Sequence, residues 1–191
     1  MTVLRVHELC HGPIQNLSFD WCAGLHMVLG DEGQGKTTLM RLLAGDVQPT
    51  GGQVVPPEGG VFWADLQRPE HDTTTVQGCW HKLRAHYPRW NDDLLQDLVE
   101  ALDMTQHLDK RLNMLSTGSR RKVMVVAALA SGATVTLLDQ PFAALDLGSV
   151  RVIQAFLHEA AEHTSRAWIV ADYTAPVDWP LASVLNLDAR P

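Results

Sequence analysis

Gly30-Asp31-Glu32-Gly33-Gln34-Gly35-Lys36-Thr37 matches G-x-x-x-x-G-K-[ST] at every fixed position. Each fixed residue has a chemical reason. Glycines let the backbone bend so that several N–H groups converge on phosphate oxygens. Lys36 sets a point charge against the β- and γ-phosphates of a nucleotide, and the Thr37 hydroxyl can ligate Mg²⁺. An apolar strand, Leu25 to Leu29, precedes the run, and a helix from Thr37 to Ala44 follows and stops at Gly45. That helix turns its positive end toward the same anion. Asp31 and Glu32 would repel a triphosphate unless they point away from it.

Upstream, residues 3–7 alternate weakly and read as an edge strand, and Asn16 to Trp21 read as a second alternating strand. Downstream, Pro49-Thr50-Gly51-Gly52 reads as a tight turn, and Gly60 to Trp63 as a strand. From about Thr74 to Asn113 the pattern turns helical, with Leu94, Leu95, Leu98, Val99 and Leu102 on one face. Trp80, His81, Tyr87 and Trp90 read there as packing residues. Lys122 to Ala130 is a buried helix, Thr134 to Leu138 a buried strand, and Val150 to Glu162 a helix. Ala167 to Ala171 is the last core strand, and Val184 to Leu187 is one more. Apolar strands alternating with helices predict a mostly parallel sheet covered on both faces.

Composition narrows the class. The 191 residues are 46% apolar and 19% charged, an ordinary globular balance. A formal net charge of -7 argues against nucleic acid as the main partner. The longest apolar run, Val123 to Ala130, is far short of the roughly 20 residues of a membrane span. The start of the chain carries no stretch of signal-peptide character. Cys10, Cys22 and Cys79, sparse and without C-x-x-C spacing, read as small apolar fillers in a reducing cytoplasm.

Two further runs share the chain with the glycine-rich loop. Leu137-Leu138-Asp139 ends a buried strand on an acid, and Asp139 at the strand's open end can hold Mg²⁺ directly or through water. Leu115-Ser116-Thr117-Gly118-Ser119 precedes Arg120-Arg121-Lys122 and the buried helix. Taken alone, Ser116 reads equally well as a helix N-cap. After Asp139 come Gln140-Pro141-Phe142-Ala143-Ala144-Leu145-Asp146.

In this order, over nearly the whole chain, the runs resemble the nucleotide-binding subunits of ABC transporters. Residues 115–119 resemble that family's Leu-Ser-Gly-Gly-Gln signature with departures at Thr117 and Ser119, and Ser116 lies 23 residues before Asp139. Residues 139–146 resemble the Walker B end followed by the Ala-Leu-Asp of the D-loop. The resemblance implies an α/β, RecA-like P-loop NTPase core at about 1–66 and 123–191. It adds an N-terminal antiparallel β portion and an inserted α-helical subdomain at about 67–122. It implies ATP and Mg²⁺ as cofactors, with nucleotide contacts from Gly30 through Thr37, Thr38, Ser116, Thr117, Gly118 and Asp146. His11 falls where the family often has an aromatic stacked on adenine, although it also reads as a surface histidine. Thr37, Asp139 and Gln67 are the implied metal set, Gln67 standing for the Q-loop. An exposed loop glutamine is the other reading of that residue.

The implied activity is ATP-driven work on a membrane permease. The signature of one subunit caps the ATP held by another, in a homodimer or a heterodimer. The chain would lie in the cytoplasm against the inner membrane face. It ends soon after the last strand, so no regulatory extension is expected, and such short members are similar to exporter subunits, including the haem-export type. Two catalytic positions depart from the family. Gln140 stands where a glutamate polarises water, and an amide cannot accept that proton; losing a general base costs about 10²–10⁴-fold in rate. Asp172 stands where a histidine meets the γ-phosphate, and an ionised carboxylate repels phosphate. An engineered Glu→Gln trap would account for Gln140 alone, whereas Asp172, Thr117 and Ser119 speak for divergence. The expectation is tight ATP binding with slow hydrolysis. The rivals are a non-hydrolysing ATP clamp or degenerate heterodimer partner, a non-transport ABC ATPase, and a P-loop kinase or GTPase. The last lacks a guanine-specificity motif here.

Overall fold

Strands β1 (Thr2–His11) and β2 (Ile14–Cys22) form an antiparallel hairpin around Gly12 and Pro13. Leu4, Val6, Leu9, Ile14, Leu17 and Trp21 are buried, while Arg5 and Asp20 face out and pair at 2.7 Å. β3 (Gly24–Leu29) runs into the glycine-rich loop and then α1 (Lys36–Leu43). The tight turn expected at 49–52 is instead the entry to a strand, β4 (Gly51–Val55), which pairs antiparallel with β1. At its register shift Glu8 and Leu9 of β1 oppose the single Gly52, at φ +72, where an added Cβ would lie 2.2 Å from the Glu8 carbonyl oxygen. Only glycine fits that approach.

The remaining elements are β5 (Val61–Phe62), α2 (Val76–Arg84), α3 (Asp92–Ala101) and α4 (Thr117–Ala130), then β6 (Val135–Asp139), α5 (Leu147–Ala160), β7 (Ala167–Asp172) and β8 (Leu181–Asn186). Five strands form a parallel sheet in the order β5-β6-β7-β3-β8, and the other three form the antiparallel sheet β2-β1-β4. β6 and β7 are buried almost throughout, which is why they read as unbroken apolar runs. β8, at the sheet edge, alternates between half-buried and exposed and starts three residues before the expected strand.

The computed structural model describes residues 2–188, which cluster into two compact units. The first takes the chain through Trp63, Thr134–Gln140 and the residues from Phe156 on, so it holds both sheets and α1. In its core, Val28, Val135, Leu137 and Ile169 of the parallel sheet cluster with Leu39, Met40, Leu42 and Leu43 of α1. Leu4, Val6, Ile14 and Trp21 of the antiparallel sheet join them. Each such buried side chain contributes about 1.5–3 kcal/mol.

The second unit is Ala64–Ala133 with Pro141–Ala155, wider than the 67–122 helical span expected, because α4 and the first turns of α5 cluster with it. Its helices are capped by their own sequence. Thr75 accepts from Gly78 N–H at 3.1 Å to start α2, and Asn91 accepts from Leu94 N–H at 3.0 Å to start α3. Trp80 is buried and donates to the Val123 carbonyl at 2.9 Å, as a packing residue should. Burial pushes the Cys79 thiol up to about 11, so it stays protonated and unreactive at neutral pH. Among the described residues, no helix is long and apolar enough to cross a membrane.

Candidate functional site

In the first unit the loop between β3 and α1 is shaped by two left-handed glycines, Gly33 at φ +81 and Gly35 at φ +98. Gly35 also needs its missing side chain, since a Cβ there would meet Pro13 Cγ at 2.8 Å and Ile14 Cδ1 at 2.9 Å. The β1–β2 hairpin therefore sits against the loop. His11 ends β1 opposite Ile14 on that hairpin, half-buried, with Nδ1 enclosed. Nothing lies within 4 Å of a Cβ added at Gly33, which leaves that side of the loop open.

α1 starts without a side-chain cap, in contrast to α2, α3 and α4, and it has no acid in its first turn. Its leading N–H groups have no partner within a helix of this geometry, and with the helix dipole they favour an anion. Thr38 lies in this first turn. Lys36 is only 5% exposed. Its Nζ donates to the Gly30 carbonyl at 2.5 Å and the Asp31 carbonyl at 2.9 Å. Thr37 Oγ1 donates to Asp139 Oδ2 at 2.5 Å, across 102 residues of sequence. The strand end and the helix start thus bring together Thr37 and Asp139, two of the three residues of the expected metal set. A hydroxyl and a carboxylate are hard oxygen donors, the type that holds Mg²⁺ together with substrate phosphates. Among the described residues, no group of three or more His, Cys, Asp or Glu side chains could hold an ion.

Asp31, Glu32 and Gln34 are exposed. The Asp31 N–H donates to both oxygens of Asp188, at 2.9 and 3.2 Å, and Asp188 is in turn held by Asn186 Oδ1 at 2.8 Å. Sequence reasoning missed Asp188, since nothing in a lone acid 157 residues from its partner marks it. Gln140 takes a left-handed backbone, φ 46, and its N–H continues the β6–β7 ladder to the Ala171 carbonyl at 2.9 Å. Asp172 folds back, Oδ1 accepting from the Tyr173 N–H at 2.8 Å. The next residue was also missed: the Tyr173 ring lies over Lys36, with Nζ 4.2 Å from its centroid.

The second unit carries the other expected residues. Ser116 is the N-cap of α4, its Oγ accepting from Ser119 N–H at 3.0 Å and lying 2.9 Å from Ser119 Oγ. The helix thus begins at Thr117, ahead of the expected Lys122, because this cap lets a polar first turn form. At Gly118 an added Cβ would lie 2.3 Å from the Ala144 carbonyl oxygen, so backbone packing alone forbids a side chain. Asp146 caps α5: Oδ1 accepts from Ser149 N–H at 2.8 Å, Oδ2 from Ser149 Oγ at 2.7 Å, and Lys122 Nζ pairs with Oδ2 at 3.0 Å. The Ser149 N–H first, then its hydroxyl and Lys122, hold this carboxyl well below the usual range.

Gln67 is exposed in a turn closed by its own N–H to Asp65 Oδ1 at 3.2 Å. That turn is gripped by Arg120, from the first turn of α4. Arg120 donates to the Leu66 carbonyl at 2.5 Å, the Arg68 carbonyl at 3.1 Å and Asp72 Oδ1 at 2.6 Å. The link between the Ser116 helix and the Gln67 turn had no sequence signal beyond a basic triplet.

Residues 14–143 match the family model described as ABC transporter. The chain is 32% identical over 120 residues to translation initiation factor RLI1 of Saccharomyces cerevisiae, an alignment covering 63% of this chain and 19% of that protein. It therefore spans about a fifth of that relative's length. It is 29% identical over 190 residues to the cytochrome c biogenesis ATP-binding export protein CcmA of Maricaulis maris, covering 93% of this chain and 86% of that one. Among solved structures, a Pyrococcus furiosus protein assigned as an ABC transporter ATP-binding protein superposes with a TM-score of 0.75. The match is at 20% identity and covers 97% of both chains, and it shows the same α/β P-loop fold.

Proposed function

Because the chain belongs to the ABC transporter family of ATP-binding domains, we propose that it grips Mg·ATP at the 30–38 loop, pairs with a second ATP-binding subunit around the nucleotide, and drives a membrane permease. The observation that carries this reading is the meeting of Lys36, Thr37 and Asp139 at the uncapped start of α1. The loop and helix N–H groups would hold the phosphates, Lys36 would neutralise their charge, and Thr37 with Asp139 would hold the Mg²⁺. The ion supplies countercharge among carboxylates that otherwise repel the triphosphate. Ser116, Thr117 and Gly118 present the start of α4 to the nucleotide of the partner subunit, and the Gln67 turn faces the permease. The permease holds the chain at the cytoplasmic face of the membrane.

Hydrolysis is slow in this reading, because Gln140 orients water without taking its proton. Loss of a general base costs about 10²–10⁴-fold. Gln140 and Asp172 also favour a second reading, an ATP-dependent clamp that acts beside a competent partner subunit. Mg·ATP turnover with particle size by light scattering, for the natural chain and Gln140→Glu, separates the two. The first reading expects ATP-dependent dimers, little turnover, and a large gain in the variant. Dimers with no gain in turnover select the clamp, and no nucleotide-dependent change at all refutes both.

A further inference from the structure

We propose that Tyr173 competes with the nucleotide phosphates for Lys36: its ring occupies the donor direction of Lys36 that a phosphate must take. The inference rests on the nucleotide-binding reading above. An ammonium has three N–H donors. Two from Lys36 reach the Gly30 and Asp31 carbonyls, both inside the loop, and the ring, 4.2 Å from Nζ, faces the third. Lys36 is only 5% exposed, so a ligand that reaches Nζ has to displace a group already packed against it. The two carbonyls belong to the loop that cradles the phosphates and stay with it. The ring does not: Tyr173 is 50% exposed, and it begins the irregular segment after β7, free of any strand ladder.

A β- or γ-phosphate that reaches Lys36 therefore replaces the ring. A phosphate is a full anion and the ring face only a quadrupole, so the exchange runs toward the nucleotide. Its cost is the ring contact itself. Asp172 does not fill this place, since its carboxylate is turned back onto the Tyr173 N–H at 2.8 Å. The same displacement frees Tyr173 to leave the loop whenever Lys36 is occupied. The start of the 173–180 segment is thereby tied to the phosphate site, and ligands with no phosphate at Lys36 do not disturb it.

Calorimetric titration with Mg·ADP and with AMP, on the natural chain and on Tyr173→Ala, Tyr173→Phe and Tyr173→Trp, tests this. Each variant's thermal melt is recorded to show that it is folded. Relative to Tyr173→Phe, which keeps a ring, Tyr173→Ala binds Mg·ADP about 2- to 30-fold tighter, the worth of one cation–π contact. Tyr173→Trp, with the strongest ring, binds it more weakly than Tyr173→Phe. AMP, with no phosphate in reach of Lys36, shows no such order. Tyr173→Ala binding Mg·ADP no tighter than Tyr173→Phe overturns the proposal, as does the same ordering with AMP. A natural chain that binds no ADP overturns the nucleotide reading and this inference with it.

Discussion

Replacing Gly118 by alanine separates a packing requirement from ordinary helix propensity. Gly118 is the second residue of α4, and alanine there would normally favour the helix by about 0.5–1 kcal/mol. The structure reverses the sign. The new Cβ would lie 2.3 Å from the Ala144 carbonyl oxygen, so α4 or the carbonyl must retreat by most of an ångström. The carbonyl has little freedom, because Ala144 already holds a left-handed backbone at φ 61. Overpacking of this kind costs about 1–3 kcal/mol, leaving a net loss of up to about 2.5 kcal/mol after the propensity gain. For a chain of this size that is a Tm fall of up to about 10 °C. Gly148→Ala is the matched control. It occupies the same place in α5, and its Cβ would meet only the Asp146 Oδ1 side-chain atom, at 3.2 Å. It should leave stability unchanged or slightly raised. Calorimetric melts of both variants check the pair, and a Gly118→Ala protein at least as stable as Gly148→Ala would refute the packing argument. In that event Gly118 is required by a ligand alone, and only the ATP-bound dimer should suffer from the change.

Two further outcomes follow from buried polar groups. His26 is fully buried between Ser183 Oγ, at 2.7 Å, and the Cys22 carbonyl, at 2.8 Å. Burial pushes its pKa down, the Cys22 contact opposing it. Folding therefore favours the neutral ring. This leaves stability intact above about pH 6.5, the unfolded value, and removes it as pH falls from there toward the folded value. Melts between pH 5 and 8 should show that decline in the natural chain and a flatter profile in His26→Gln; equal slopes would exclude His26 as the source. Arg120→Met removes three charge-assisted contacts to residues 66–72 from a side chain that is 11% exposed. The loss is about 1.5–3 kcal/mol, a Tm fall of about 3–12 °C, and Arg120→Lys recovers only part of it because an ammonium cannot span the fork. A melt of Arg120→Met indistinguishable from the natural chain would show these contacts to be without net worth.

How far the sequence went depended on how local each cause was. The β3–loop–α1 segment was legible because the glycines, the lysine and the flanking apolar runs lie within one stretch. β6 and β7 were legible because full burial leaves an unbroken apolar run. β4 was not, since its start at Gly51-Gly52 reads as the end of the Pro49-Thr50-Gly51-Gly52 turn until β1 supplies its partner, 40 and more residues upstream. The start of α4 was hidden by its polar first turn, although Ser116 carried the cap that explains it. Within the site, the nearness of Thr37 and Asp139 could be inferred from their motifs. Asp188 and Tyr173 could not. Their partners are fixed by sheet order, where β8 and β7 flank β3 and deliver both residues beside the loop.

That sheet order also bears on Gln140→Glu. The ends of β6 and β7 are joined by the Gln140 N–H to the Ala171 carbonyl at 2.9 Å, so Gln140 and Asp172 share one stretch of sheet edge. A glutamate at 140 would join Asp139 and Asp172 there, with Asp31, Glu32 and Asp188 on or beside the loop, and Lys36 is the cation held inside it. Added alone, the acid restores a proton acceptor and also raises the negative charge facing the triphosphate. Its gain in kcat should therefore come with a higher KM. Adding Asp172→His removes one negative charge and restores a donor, so the double variant should keep the kcat gain while KM returns toward the natural value. The two changes would then couple through shared charge rather than add, as neighbouring sites do. Steady-state ATPase measurements on the four-protein cycle decide it. If KM is unmoved by Gln140→Glu and by the pair, charge at the β6–β7 edge does not govern nucleotide affinity, and the amide at 140 matters only for the proton it cannot take.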